Sequence, residues 1–265
     1  MKIGFIGLGN MASAMIGGIL EKELVIPPNI VGSAKTATTK EKIKGRFNIN
    51  VVETNAEVAK QADILFLAVK PIFLGEVIEE IKAHVKVDAL VVSIAAGRDL
   101  HFLKEAFGRP ELKIIRCMPN TPALVLEGCT GICAGEEVPQ GDLDRIVELM
   151  ESFGKASVVP ERLMDVVVGV SGSSPAYVFM FIEAMADEAV AAGMPRKQAY
   201  EFAAQAVLGS AKMVLETGKH PGELKDMVCS PGGTTIQAVK VLEERGMRAA
   251  VMDAMEACIE KSRSM

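Results

Sequence analysis

Over the first 159 residues, short apolar runs alternate with longer stretches in which apolar residues recur every three or four positions. The short runs fall at 3–6, 30–33, 49–52, 64–68, 90–94, 113–117, 130–134 and 156–159, are rich in Ile, Val and Leu, and predict strands. Helical spacing follows most of them, notably at 11–22, 56–61, 72–85 and 143–153. Strand and helix in alternation build a mostly parallel sheet covered on both faces, and such sheets bind ligands at the carboxyl ends of their strands. The chemistry is therefore expected in the segments that follow strands.

After Pro160 the pattern changes. β-Branched runs give way to Ala, Met, Glu and Leu in helical spacing, broken at Gly172-Ser173-Ser174-Pro175, Gly193-Met194-Pro195, Gly218 and Pro231-Gly232-Gly233. This predicts an all-helical second domain over residues 160–265. Its run 177–194 holds Phe179, Met180, Phe181, Ile182, Met185, Ala186, Ala189 and Val190, so that helix is apolar on nearly every face. About a hundred residues of helix would struggle to bury such an element alone, which favours a dimer interwoven through this domain over a compact monomeric bundle. The same run carries Glu183, Asp187 and Glu188, which favours a buried helix over a membrane span.

The first strand leads into Gly7-Leu8-Gly9-Asn10-Met11-Ala12, placed between strand and helix. Gly7 permits a tight turn, Gly9 lets the backbone approach a pyrophosphate, and small Ala12 lets the helix pack on the strand. Residues 1–159 are accordingly expected to be a dinucleotide-binding, Rossmann-like domain, making the chain α/β with an added helical domain. Dinucleotide folds usually place Asp or Glu at the end of the second strand to bind a ribose 2′-hydroxyl. Here Ser33, Lys35 and Thr36 stand there instead, two hydroxyls and an ammonium suited to a 2′-phosphate that a carboxylate would repel. NADPH is the expected cofactor, with NADH admissible.

Three later strand ends are expected to line the same cleft: Ala68-Val69-Lys70-Pro71, Ala95-Ala96-Gly97, and Met118-Pro119-Asn120-Thr121-Pro122. Small residues and prolines give the close, fixed backbone that a nicotinamide ribose and ring require, and Arg116 and Asn120 supply polar wall groups. The expected cofactor set is Gly7, Leu8, Gly9, Asn10 and Met11 from the first turn, Ser33, Lys35 and Thr36 from the second strand, Asn55, and Ala68 to Pro71 with Ala95 to Gly97 from the later ones.

Five cysteines, an odd number with no paired framework, suit a reducing compartment. Cys129 and Cys133 lack histidines at matching spacing, so no metal site is expected. A formal net charge of -5 without long basic runs argues against nucleic-acid binding. The chain opens directly on a strand, with no basic segment and cleavable apolar stretch, so a cytoplasmic protein is expected.

Ser230-Pro231-Gly232-Gly233-Thr234-Thr235 directly precedes a helical pattern at Ile236, Val239 and Leu242. Its glycines and the following helix start can hold a carboxylate on backbone N–H groups. A helix start capped by Thr234 explains the same residues equally well.

Taken together, these segments resemble pyrroline-5-carboxylate reductases over nearly the whole chain. The resemblance is carried by the glycine loop, Val69-Lys70-Pro71, residues 93–97, Arg116 to Pro122, Val170-Ser171-Gly172-Ser173-Ser174-Pro175-Ala176-Tyr177, and Ser230 to Thr235; the last two are the most specific. It implies a Rossmann domain followed by a helical domain that intertwines with a partner, often within larger rings of dimers. It also implies a cyclic imine, 1-pyrroline-5-carboxylate, as substrate and L-proline as product. Substrate binding would fall to Ser230, Gly233, Thr234 and Thr235, with backbone groups of the last three on the carboxylate and the Thr235 hydroxyl on the ring nitrogen as the catalytic contact. An iminium accepts hydride readily, so no His or Lys acid is required. Two positions depart from the family pattern: Ser174 stands where Gly is common, so a left-handed backbone there would be strained, and Met227 stands where many members carry Asn.

A β-hydroxyacid dehydrogenase has a similar order of domains but needs a general base, usually a helical-domain Lys, and there is none between Lys155 and Lys197. A non-catalytic NADPH-binding sensor would have no use for a carboxylate loop.

Overall fold

A computed structural model describes residues 1–265. Its strands are β1 (Ile3–Ile6), β2 (Ile30–Ser33), β3 (Asn50–Val51), β4 (Ile64–Leu67), β5 (Leu90–Ser93), β6 (Lys113–Met118), β7 (Gly128–Ala134) and β8 (Gly154–Val158). The helices between and after them are α1 (Asn10–Glu21), α2 (Ala37–Phe47), α3 (Asn55–Gln61), α4 (Pro71–Ile81), α5 (Leu100–Phe107), α6 (Gln140–Glu151) and the short α7 (Met164–Val167). The rest is helical: α8 (Ser174–Ala191), α9 (Arg196–Thr217), α10 (Pro221–Val228), α11 (Thr234–Glu244) and α12 (Met247–Arg263).

All eight strands form one sheet in the order β3-β2-β1-β4-β5-β6-β7-β8. Every pair is parallel except β6 and β7. The continuous apolar runs of β1, β4 and β5 are buried on both faces, as a helix-covered parallel sheet requires. On one face Phe5 stacks on Phe66 with ring centroids 4.8 Å apart, under Met15 and Ile19 of α1 and Ile146 of α6. On the other, Leu65, Leu67 and Val91 pack against Leu74 and Ile78 of α4 and Phe107 of α5. Each such side chain, fully buried, contributes roughly 1.5–3 kcal/mol. The order of strands reverses between β1 and β4, and the crevice above that switch point is where such a fold takes its ligand.

Two compact units divide the chain: residues Met1–Ser173 with Cys258–Met265, and residues Ser174–Ala257. This differs from the boundary expected at 159/160, for a packing reason. Met164 is buried with Met118 and Cys133, and a β-carbon on Gly131 of β7 would lie 2.8 Å from Val167, so the segment after Pro160 still belongs to the sheet unit. The last residues return to it as well, through Ser262 Oγ donating to Asp165 at 2.6 Å and Cys258 Sγ to Ser173 Oγ at 3.2 Å.

In the second unit α8 packs along α9, yet Ala186 is the buried residue of α8 while Phe179 and Met180 are 62% and 69% exposed. Sequence reasoning places a covering around this helix, and the chain by itself does not provide it. The run Glu161–Ala191 is long and apolar enough to cross a membrane by length and composition. Ser174 opens α8 without a positive φ, which non-glycine residues adopt only at Glu23, Asn48 and Leu126, so the departure from glycine costs no left-handed strain.

Candidate functional site

The glycine loop is built for a close approach. Gly7 has φ +92°, and a β-carbon there would lie 2.5 Å from the Ala68 carbonyl oxygen. α1 then starts with Gly9 as N-cap, without a side-chain capping bond and without an acid in its first turn. A β-carbon on Gly9 would meet nothing within 4 Å. The leading N–H groups of α1 thus open on free space at the positive end of the helix dipole, and a pyrophosphate fits that cradle.

Beside it runs a cleft of about 740 Å³ that brings together Gly7, Leu8, Gly9, Ser33, Lys35, Thr36, Asn55, Ala68, Val69 and Lys70. Of the remaining sequence candidates, Asn10 and Met11 form the first turn of α1, Pro71 opens α4, and Ala95, Ala96 and Gly97 follow β5 outside this lining. Gly97 instead lines a smaller cavity with Arg116, and its α-carbon faces Met265 closely enough that a β-carbon would lie 2.5 Å from it.

The floor of the cleft at the end of β2 is fixed by hydrogen bonds. Ser33, 1% exposed, donates its hydroxyl to Asn55 Oδ1 at 2.7 Å, and Asn55 Nδ2 donates to Glu80 Oε2 at 2.7 Å. Asn55 is held as the first residue of α3 by a capping box between Thr54 and Glu57. Hydrogen bonds from the Thr54 backbone and hydroxyl keep the Glu57 carboxyl below its ordinary value. Thr36 caps α2 by accepting from the Thr39 N–H at 3.3 Å, and Lys35 Nζ sits 5.7 Å from the centroid of the Phe73 ring. Phe73 and Glu80 both lie on α4, and neither was legible as a cleft residue: only the tertiary packing of α4 beside β2 brings them there. The Lys40–Glu53 ion pair completes that rim.

Arg116 and Asn120 take structural places. Arg116, 5% exposed, pairs through Nη1 with Glu161 at 2.8 Å, and the same carboxylate oxygen accepts the Leu100 N–H at 2.8 Å. Across the sheet from Arg116 lies Cys133, whose thiol is pushed up to about 11 by burial and by the Glu161 charge. No group of His, Cys, Asp and Glu is arranged to hold a metal ion.

In the helical unit, residues 230–235 form a turn in which the Gly233 N–H donates to the Ser230 carbonyl at 3.0 Å. A β-carbon on Gly233 would lie 2.4 Å from Ser230 Oγ and 3.2 Å from the Ser230 carbonyl oxygen. Gly233 is the N-cap of α11 and no side chain caps it; Thr234 and Thr235 are the first two helical residues. A cap by Thr234 is therefore not what this sequence encodes. The N-terminal N–H groups of α11 carry no capping side chain, with the Thr235 hydroxyl among them. Met227 is exposed near the end of α10.

With this geometry in place, comparison with known proteins is decisive. The chain is 55% identical over 264 residues to the pyrroline-5-carboxylate reductase of Escherichia coli, covering 100% of this chain and 98% of that protein. The chain belongs to the pyrroline-5-carboxylate reductase family. The enzyme of that name from Methanosarcina acetivorans is 46% identical over 264 residues, covering 100% of this chain and 97% of the relative. The crystal structure of Plasmodium falciparum pyrroline carboxylate reductase with NADP bound superposes with a TM-score of 0.90 at 34% identity, covering 100% of this chain and 97% of that one. Two family models match in addition: NADP oxidoreductase coenzyme F420-dependent over residues 2–97, and pyrroline-5-carboxylate reductase dimerisation over residues 161–265. The exposed apolar helix α8 lies inside the second.

Proposed function

We infer that this chain reduces 1-pyrroline-5-carboxylate to L-proline with hydride from NADPH, with NADH as a second donor, in proline biosynthesis. The observation that carries the reading is the cradle at Gly7 and Gly9: a turn closed against Ala68, followed by an uncapped helix N-terminus with no acid in its first turn. The residues present fit a phosphorylated dinucleotide, because Lys35 and Thr36 follow the end of β2 with no carboxylate among them.

The bound cofactor supplies the hydride. The protein supplies position. Backbone N–H groups of the α1 start, with Asn10 and Met11, hold the pyrophosphate, and Lys35 and Thr36 hold the 2′-phosphate. Residues 68–71 and 95–97 place the nicotinamide ribose and ring. In the helical unit, N–H groups of Gly233, Thr234 and Thr235 take the substrate carboxylate beside Ser230, and the Thr235 hydroxyl hydrogen-bonds the ring nitrogen. The imine carbon gains hydride and the nitrogen gains a proton, so positioning and a modest polarisation suffice.

The chain acts as a homo-oligomer. In our reading the dinucleotide-binding part is residues 1–159 and the part that binds substrate and dimerises is residues 160–265. Partner helices would interweave over α8, dimers would join into a ring, and the enzyme would work in the cytoplasm. The apolar surface of α8 supports the interwoven arrangement, because burying it in a partner explains Phe179 and Met180 without a bilayer. The test is direct: purified protein mixed with NADPH and pyrroline-5-carboxylate should consume the reduced cofactor and form proline in equal amounts. Cofactor binding without imine-dependent oxidation would overturn the reading.

A further inference from the structure

Within the cleft, three side chains form a hydrogen-bonded chain whose direction is fixed at one end. Glu80 accepts from Asn55 Nδ2 at 2.7 Å, and Asn55 Oδ1 accepts from the Ser33 hydroxyl at 2.7 Å. A carboxylate has no proton to give, so the Asn55 group facing Glu80 must be its NH₂. The amide oxygen is thereby turned to Ser33, where it only accepts. The one proton of the Ser33 hydroxyl is spent on Asn55, and what Ser33 keeps for a ligand is lone pairs. All three residues line the cleft at the end of β2 where Lys35 and Thr36 also stand.

We propose that Glu80, acting through Asn55, sets the balance between the two nicotinamide dinucleotides by holding Ser33 as a hydrogen-bond acceptor. This rests on the cofactor reading above and deepens it. A ribose 2′-hydroxyl donates to such a Ser33. A 2′-phosphate dianion offers only acceptor oxygens and meets Ser33 lone pair to lone pair, so the attraction of Lys35 and Thr36 for it is partly offset. Glu80 is a positioning residue that keeps NADH usable. Once it is removed, Asn55 is free to rotate its amide, present NH₂ to Ser33, and release the hydroxyl proton toward a phosphate. Glu80 is exposed on α4, and the helix loses no core contact with it.

Two routes from Glu80 to the cofactor are separable. Its bare charge repels a phosphate through water and is screened by salt beyond about 10 Å at 0.1 M. The orientation of Asn55 is not screened. The experiment measures dissociation constants and kcat/KM for NADPH and NADH at low and high salt, in the wild type, Glu80→Ala, Glu80→Gln, Asn55→Ala and the Glu80→Ala/Asn55→Ala double variant. The wild type is expected to bind both cofactors. Glu80→Ala should raise the NADPH to NADH ratio by about tenfold, the worth of one hydrogen bond, at both salt levels. Glu80→Gln should move it the same way by less. In the Asn55→Ala background, removal of Glu80 should move the ratio by less than about twofold, since its lever is gone.

An unmoved ratio in folded Glu80→Ala overturns the proposal. So does a shift that disappears at high salt, or one of equal size in the Asn55→Ala background. Failure of the wild type to bind either cofactor would overturn the cofactor reading itself, whereas binding of both with an unmoved ratio defeats this inference alone.

Discussion

The Asn120 side chain ties Ser171 to the start of β7. Its Nδ2 donates to the Ser171 carbonyl at 2.9 Å and its Oδ1 accepts the Cys129 N–H at 2.8 Å. Ser171 lies in the π-helical turn Val168–Gly172. By sequence Asn120 reads as a wall of the cofactor cleft; in the fold it is buried and spent on backbone.

Asn120→Ala should accordingly destabilise the protein by about 1–3 kcal/mol, because two part-buried hydrogen bonds to the backbone are lost together with their buried side-chain partner. Urea denaturation with activity measured in parallel checks it. A variant of wild-type stability would show that water replaces the amide at no cost.

Thr235→Ala should lower turnover by about tenfold or more with folding unchanged, since a hydrogen bond to a nitrogen that becomes an amine is worth about 1–3 kcal/mol. Thr235→Ser should restore most of the rate. Steady-state kinetics of both variants are the check, and wild-type turnover in the alanine variant would remove the hydroxyl from the mechanism.

Met185→Lys should dissociate subunits and lower stability together. Met185 is only partly covered in the single chain, and an ammonium placed there in a subunit contact has no compensating partner. Sedimentation at micromolar concentration should find the wild type at least dimeric and the variant smaller. A monomeric, fully active wild type would contradict the interwoven arrangement.

Burial raises the thiol pKa of Cys117 and Cys133, that of Cys133 to about 11, whereas Cys129 is exposed. Thiols with raised pKa stay protonated at pH 8 and do not alkylate. Peptide mapping after iodoacetamide should find Cys129 labelled in the native protein, with Cys117 and Cys133 labelled only after denaturation. Early labelling of Cys133 would mean that the sheet opens locally near Glu161.

The strands and the glycine loop were legible because continuous apolar runs and a Gly7-x-Gly9 turn leave few other structures open to them. α2 was not, since Ala37 to Phe47 buries only Ile43 and its other residues carry little apolar period. The antiparallel turn of β7 was legible in principle: only residues 119–127 separate it from β6, too few for a parallel crossover. Ser33 was rightly placed at the end of β2, but the use of its proton depends on Glu80, which lies 47 positions away and meets it only through Asn55. Thr234 reads as a cap by residue type, and the glycine turn moves the cap back to Gly233.

The central claim is that this chain transfers hydride to the carbon of a cyclic imine. NADPH carrying deuterium at the transferring nicotinamide position, incubated with the protein and pyrroline-5-carboxylate, tests it most directly. Mass spectrometry of the product should find proline with a single deuterium at the former imine carbon. Unlabelled proline, or oxidised cofactor without proline, would contradict it.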